Sequence, residues 1–250
     1  MFTFSSAFPS FVIRSIDAPK EGTGVDIRFQ EAEARYEGRT VLHPLSLSLC
    51  ERRIGVVGLN GSGKTTFARL INGLVKPAAG RVTVNGFDTV ADADKARGQT
   101  GFIFQNPQNQ IILPVLREDI ALGLQGRKLP KPEVNALVDR VLSRLGILHL
   151  GERRAHELSG GELQLAALAS VLVTEPLILI MDEPTNQLDL RNRRLVADTI
   201  KGLNEHVLVV SHDLDLVADF DRVLLFHEGR LVADGMPAEV ITRYRGIALP

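Results

Sequence analysis

The sequence predicts an α/β fold organised around a parallel sheet, and three observations carry that prediction. Four apolar runs, Ile54 to Val57, Phe102 to Phe104, Leu177 to Met181 and Val207 to Val210, have the length of buried strands and are too short for helices. They lead directly into Gly58, Gln105, Asp182-Glu183 and Ser211-His212. Open α/β sheets bind ligands at the carboxyl ends of their parallel strands, so four such ends describe one candidate site. The third observation is an alternation of apolar and polar residues from Val25 to Leu49, clearest in Leu45-Ser46-Leu47-Ser48-Leu49. With the glycine-bracketed stretch Gly80 to Gly86, it predicts a small antiparallel β subdomain.

Between Pro107 and Leu165 the pattern turns helical, with Pro130 and Pro132 marking a break before a helix over Glu133 to Leu145. This reads as a helical subdomain, about 107–165, inserted in one domain of 25–250 behind an N-terminal tail of 1–24. Near the end, Arg222 to Phe226 and Arg230 to Ala233 flank His227-Glu228-Gly229 as a hairpin.

Composition narrows the function classes. A chain of 250 residues, 44% hydrophobic and 24% charged, has the make-up of a globular protein of one or two domains rather than a disordered or collagenous one. Its 29 basic and 30 acidic residues leave a net charge of −1, against the basic excess of a general nucleic-acid binder. Cys50 is the single cysteine, which excludes an intrachain disulfide and a cysteine-based zinc site and suits a reducing cytoplasm. Met1 to Ile13 has no positive residue ahead of it and is interrupted by Pro9 and several hydroxyl residues, unlike a signal peptide. The strongest apolar run falls far short of the roughly 18 residues that cross a bilayer, so a role at a membrane requires a partner's helices.

The most specific motif is Gly58-Leu59-Asn60-Gly61-Ser62-Gly63-Lys64-Thr65, which fits Gly, four residues, Gly-Lys-Ser/Thr without a mismatch. Glycines let such a loop wrap phosphate with backbone N–H groups, and the following helix adds its positive N-terminal end. Lys64 is expected to reach the β- and γ-phosphates, and the Thr65 hydroxyl to ligate Mg²⁺; Thr66 is counted with the nucleotide-binding residues. An accidental Gly-rich turn is the alternative. The motif's place between a buried strand and an amphipathic helix (Phe67, Leu70, Ile71, Leu74) argues against it.

At the tip of another apolar run stand two adjacent acids, Asp182 and Glu183, followed by Pro184. Asp182 suits a water-bridged contact to Mg²⁺, an ion that prefers oxygen and keeps several waters. Glu183 then polarises the attacking water, acting by orientation on a loose phosphoryl-transfer path. Alone, the pair would read equally as a turn or a helix cap.

Leu158-Ser159-Gly160-Gly161-Glu162 opens a Leu- and Ala-rich helix, and Ser159 and Glu162 have capping-box spacing. A cap does not require two glycines. Each costs a helix about 1 kcal/mol while baring backbone, which makes sense where an anion approaches. Two phosphate-ready helix starts and one nucleotide invite a dimer.

These five elements, with Gln105 and His212 among them, occur in the order and approximate spacing of an ATP-binding cassette (ABC) ATPase, which the chain resembles from about Val25 to Gly235. The resemblance implies a P-loop NTPase with a mixed, largely parallel RecA-like core, an antiparallel β subdomain and a helical insertion. It also implies a head-to-tail dimer binding two ATP with Mg²⁺, each held by one subunit's P-loop and the other's Ser159-Gly160-Gly161-Glu162 helix start. On the same resemblance, Tyr36 stacks on adenine, Gln105 senses the metal and the transmembrane partner, His212 contacts the γ-phosphate, and Asp189 crosses to the opposite site. By itself Tyr36 could cover a core, Gln105 could end a strand and His212 could sit on a surface.

The chain departs from the family signature with Glu162 in place of the usual Gln, Leu165 in place of Arg, and Asn186-Gln187 in place of Ser-Ala. The run Phe104-Gln105-Asn106-Pro107-Gln108-Asn109-Gln110-Ile111 is similar to the extended Gln-loop of energy-coupling-factor ATPases. Those power vitamin or cobalt and nickel uptake through a transmembrane coupling subunit and a membrane substrate-binding subunit. The short C-terminus resembles single-ATPase systems, biotin first among them. Such a protein lies peripherally on the cytoplasmic face of the inner membrane, works as a homodimer and binds no nucleic acid. The rivals are a soluble cassette acting on nucleic acid or ribosomes, whose relatives carry a coiled coil or fused cassettes absent here, and a P-loop kinase, which leaves residues 158–162 unexplained.

Overall fold

A computed structural model describes residues 24–248, so the expected tail lies, but for its last residue, outside the described residues. Strands β1 (Ile27–Tyr36) and β2 (Arg39–Leu49) pair antiparallel around Glu37-Gly38. The chain enters the core as β3 (Arg53–Gly58) and leaves it as helix α1 (Lys64–Ile71). Strand β4 (Ala79–Val84) returns to β1, and β5 (Phe87–Asp88) to β4. Helix α2 (Ala93–Gln99) leads into β6 (Thr100–Ile103), and then come α3 (Leu116–Leu122), α4 (Lys131–Arg144) and α5 (Gly160–Leu172). The remainder alternates: β7 (Ile178–Asp182), α6 (Leu190–Lys201), β8 (His206–Val210), α7 (Leu214–Val217), β9 (Arg222–His227), β10 (Arg230–Gly235) and α8 (Pro237–Ala248).

Two sheets result: an antiparallel one ordered β2-β1-β4-β5 and a mixed one ordered β10-β9-β3-β8-β7-β6. All neighbours in the second are parallel except β9 with β10. The four predicted buried strands are therefore joined by a fifth parallel strand, β9. Sequence reading saw it only as half a hairpin, because its pairing with β3 is non-local. The other boundary that shifts is the end of the helical subdomain: position 165 falls inside α5, which runs on to Leu172 and packs on β6. Among the prolines, Pro130 precedes α4 and Pro132 sits in its first turn, so the helix begins at Lys131.

Strand alternation assigns the two faces of the mixed sheet to two cores. Val56, Leu208 and Leu224 pack with the antiparallel sheet and α1, whereas Val57, Val209 and Leu225 pack with the helices of the other face. Helix α1 is clamped between the sheets. Phe67, fully buried, stacks on Phe29 of β1 at 4.7 Å between ring centroids and meets Phe226 of β9 at 4.9 Å. The helix that starts at the phosphate-loop motif is thus held on both sides by packing that no ligand supplies.

Candidate active site

Register places the polar strand ends side by side. Val56 of β3 pairs with Val210 of β8, and Val210 with Asp182 of β7, so the loops after β3, β8 and β7 leave the sheet as neighbours in that order. β6 lies beyond β7, which brings Gln105 to the same edge.

The loop after β3 is shaped by glycine where nothing else fits. Gly58 has φ 147°, and a Cβ there would clash with the Phe226 carbonyl oxygen; Gly63 has φ 97°, and a Cβ there would lie 2.9 Å from the Val41 carbonyl oxygen. Behind the loop, the Gly229 N–H donates to the Ser62 carbonyl (3.1 Å), and the His43 N–H to the Gly229 carbonyl (2.9 Å). Lys64 Nζ donates to the carbonyls of Gly58 (2.8 Å) and Leu59 (3.0 Å), folding the ammonium over its own loop. Burial lowers its pKa, with the charges of Glu183 and Asp182 opposing. Ser62 Oγ is buried with no hydrogen-bond partner. The exposed Asn60 and Gly61 form the crest, and Thr66 is buried in the first turn of α1.

Thr65 Oγ1 donates to Asp182 Oδ1 at 3.0 Å, uniting two motifs 117 residues apart. Both are hard oxygen donors, and among the described residues no cluster of three His, Cys, Asp or Glu is placed to hold a metal. That donor set fits Mg²⁺, which takes one or two protein ligands beside phosphate and water rather than a full protein cage. When bound, Mg²⁺ neutralises charge on the β- and γ-phosphate oxygens. Burial raises the pKa of Asp182 against the Thr65 hydrogen bond and the charges of Arg69 and Lys64.

Glu183 is buried at a left-handed φ of 53°, a conformation that costs a non-glycine residue about 1–3 kcal/mol and clusters at functional sites. Its N–H donates to the Val210 carbonyl (2.8 Å), which locks the turn to β8. Its Oε2 accepts from the His212 N–H at 3.0 Å, while Oε1 has no hydrogen-bond partner although His212 Nε2 lies 3.2 Å away. Burial raises the pKa of Glu183 and lowers that of His212, where the Lys64 charge adds to the effect. The arrangement offers a carboxylate oxygen awaiting a hydrogen-bond donor beside a largely neutral imidazole. A water molecule is a donor of that kind.

Tyr36 ends β1 beside the Glu37-Gly38 turn and is 43% exposed, so it does not cover a core. Gln105 borders an open cleft of about 210 Å³ with Arg69, Asn106, Asn109, Asn186 and Gln187. Gln110, to which the sequence assigns no role, anchors the loop after β6. Its amide accepts from the Phe104 N–H (3.3 Å) and donates to the carbonyls of Phe102 (3.3 Å) and Ala167 (3.5 Å), tying the loop after β6 to α5. Two of these bonds stay within β6 and the loop after it and one crosses to α5, and an amide's bonds to backbone leave no pattern in a sequence.

At the start of α5, Ser159 and Glu162 form the expected capping box. Glu162 Oε2 accepts from the Ser159 N–H (2.8 Å) and hydroxyl (2.7 Å), which lowers its pKa, so the extra acid points back into the cap. At one of the two glycines, packing supplies a second reason for the missing side chain. Gly161 is buried, and a Cβ there would come within 3.0 Å of Asn192 Oδ1, Cγ and Cβ, so packing against α6 excludes a side chain irrespective of any anion. Gly160 is exposed and meets only the end of Leu188. Asp189 caps α6, accepting from the N–H and the amide of Asn192, both at 2.8 Å.

Comparison with known proteins accounts for this geometry. Residues 42–186 match the family model described as ABC transporter. The biotin transport ATP-binding protein BioM of Rhizobium etli is 61% identical over 90% of this chain and 100% of its own length. Among solved structures, CbiO1 of Clostridium perfringens, part of the ABC transporter complex CbiONQ, superposes with a TM-score of 0.78 at 31% identity, over 90% of this chain and 95% of that one. An ATP-binding cassette solved as a dimer in a post-hydrolysis state with ADP and Pi superposes with a TM-score of 0.75 at 25% identity, over 84% and 98%. The chain belongs to the ABC transporter family, in which it is an ATP-binding subunit that hydrolyses ATP with Mg²⁺.

Proposed function

We propose that this chain is the ATP-hydrolysing subunit of an uptake transporter of the energy-coupling-factor kind, with biotin as the leading cargo and a transition-metal ion as the second. The observation that carries the hydrolytic part is the meeting of Thr65 with Asp182, and of Glu183 with His212, at adjacent strand ends. The full-length identity to a biotin transport ATP-binding protein supports the cargo.

In this reading the P-loop amides and Lys64 hold the phosphates, Thr65 and Asp182 hold Mg²⁺, and Tyr36 stacks on adenine. Gln105 reaches toward the metal from the cleft. Glu183 Oε1 accepts a hydrogen from the attacking water and orients it, while His212 donates to the γ-phosphate. The second half of each site comes from another copy of the chain, through Ser159, Gly160, Gly161 and Asp189. No described helix is long and apolar enough to cross a membrane. In this reading the chain acts on a transmembrane coupling subunit and a membrane substrate-binding subunit, as the likeness to transport ATP-binding subunits supports. It works peripherally, on the cytoplasmic face.

The test is purification of the tagged chain from native membranes. Two membrane proteins are expected with it, and vesicles holding the complex should accumulate labelled biotin only with ATP and an intact Glu183. Association with nuclease-sensitive nucleic acid, with no membrane companion, would overturn the reading.

A further inference from the structure

The first turn of α6 touches three parts of the site at once. Its cap is Asp189, whose carboxylate takes both hydrogen bonds from Asn192. The same Asn192 side chain occupies the space that glycine leaves at position 161, so it also sets how closely the start of α5 approaches. The next residue, Arg193, turns the other way. Its Nε lies 2.5 Å from Asp213 Oδ2, and its Nη2 lies 2.5 Å from Oδ1, a two-pronged pairing of planar groups.

Asp213 is the residue after His212, and it is nearly enclosed, with 7% of its side chain exposed. Its carboxylate also caps α7 through the Leu216 N–H (3.3 Å) and receives the Thr185 hydroxyl (3.4 Å), while its own N–H donates to Ser211 Oγ (2.9 Å). Thr185 lies two residues after Glu183. Asp213 therefore follows His212 in the chain and bonds to Thr185 two residues beyond Glu183, and the Arg193 guanidinium is the charge paired with it. A planar fork fixes orientation as well as distance, which a lysine's point charge does not.

We propose that Arg193 is a positioning residue for hydrolysis: through Asp213 it makes the His212 loop follow the first turn of α6, and with it Asp189 and the start of α5. A shift of α6 is then felt at His212 within the same subunit. Arg193 touches neither nucleotide nor water in this account. The inference rests on hydrolysis at the site described, which the wild-type rate tests separately.

The experiment is a double-mutant cycle on the purified full chain, following release of radiolabelled phosphate so that slow residual rates remain measurable, with melting temperature recorded for each variant. Arg193→Ala is expected to lower kcat about tenfold while KM for ATP stays within about twofold, because orientation rather than binding is lost. In a His212→Ala background the same change is expected to cost less than about twofold, since the residue it positions is gone. Arg193→Lys is expected to restore part of the rate, and it replaces Arg193→Ala in the cycle if the alanine variant does not fold. An unchanged kcat in a folded variant overturns the proposal. So does an equal loss in both backgrounds, which is what a purely structural role gives.

Discussion

At the start of α1, Gly63 takes the cap position with φ 97° and no side-chain hydrogen bond, and the first turn holds no acid. At the start of α5, Ser159 and Glu162 close the cap on each other, and the first turn carries a carboxylate. Both segments are glycine-rich, and both read in sequence as phosphate-binding helix ends. The first lies within one chain: no side chain caps its helix, and the loop is braced by the Ser62 N–H on the Leu59 carbonyl, the Gly229 N–H on the Ser62 carbonyl and the packing of Phe67. The second satisfies itself. In the shared site proposed above, a phosphate arriving there would compete with Glu162 for the Ser159 hydroxyl, and that half could be tuned without touching the nucleotide's primary cradle.

The largest effects belong to the first helix start and the carboxylate beside it. Lys64→Ala should abolish measurable ATP binding, read by equilibrium dialysis, whereas Glu183→Gln should keep ATP and lose hydrolysis by about 10²–10⁴-fold, the range of a positioned acid–base group. Near-normal phosphate release by Glu183→Gln would remove that residue from the reaction.

Next comes a contrast between two glycines. Gly161→Ala forces a Cβ into Asn192 and should destabilise the fold by about 1–3 kcal/mol in urea unfolding. Gly160→Ala, in the same cap, should be much milder, because only the end of Leu188 must move. Equal costs at the two positions would remove the packing explanation for Gly161.

A smaller effect is expected from Glu162→Gln, which keeps an oxygen for the Ser159 N–H and removes the negative charge. It should tighten ATP binding in the assembled transporter by about 2–5-fold, the scale of one charge at a helix N-terminus. The smallest is a pH effect. Hydrogen bonds from the Ser159 hydroxyl and N–H hold the Glu162 carboxyl below its ordinary value, so its contribution to stability is present above the unfolded-state value and is lost as pH falls through the lowered one. Glu162→Gln should lack that acid-side loss, seen as converging melting temperatures of the two proteins as pH drops toward 3.

What the sequence made legible follows the range of the interactions. The phosphate loop is eight consecutive residues, Gly58 to Thr65, whose three glycines all have positive φ, and the motif could be read outright. Strand ends were legible because burial on both faces writes an apolar run and polar residues interrupt it abruptly. β9 was legible as a hairpin strand, which it is, but not as a neighbour of β3, because β10 is adjacent in sequence and β3 is not. The same rule hid the bond of Gln110 to Ala167, the pairing of Arg193 with Asp213, and the contact of Gly161 with Asn192: each joins residues that only the folded chain brings together. A glycine in a helix announces that something needs room, without saying whether it is an anion or an asparagine.

The central claim is that the two helix starts complete one ATP site only across a pair of chains. It is tested most directly by mixing a Lys64→Ala chain, unable to hold ATP, with a differently tagged Glu183→Gln chain, in the presence of Mg²⁺ and ATP bearing a photoreactive group on its γ-phosphate. The account predicts label on residues 158–162 of the Lys64→Ala chain, and only when its partner is present. If that chain stays unlabelled while its partner is saturated with the nucleotide, the shared site does not exist.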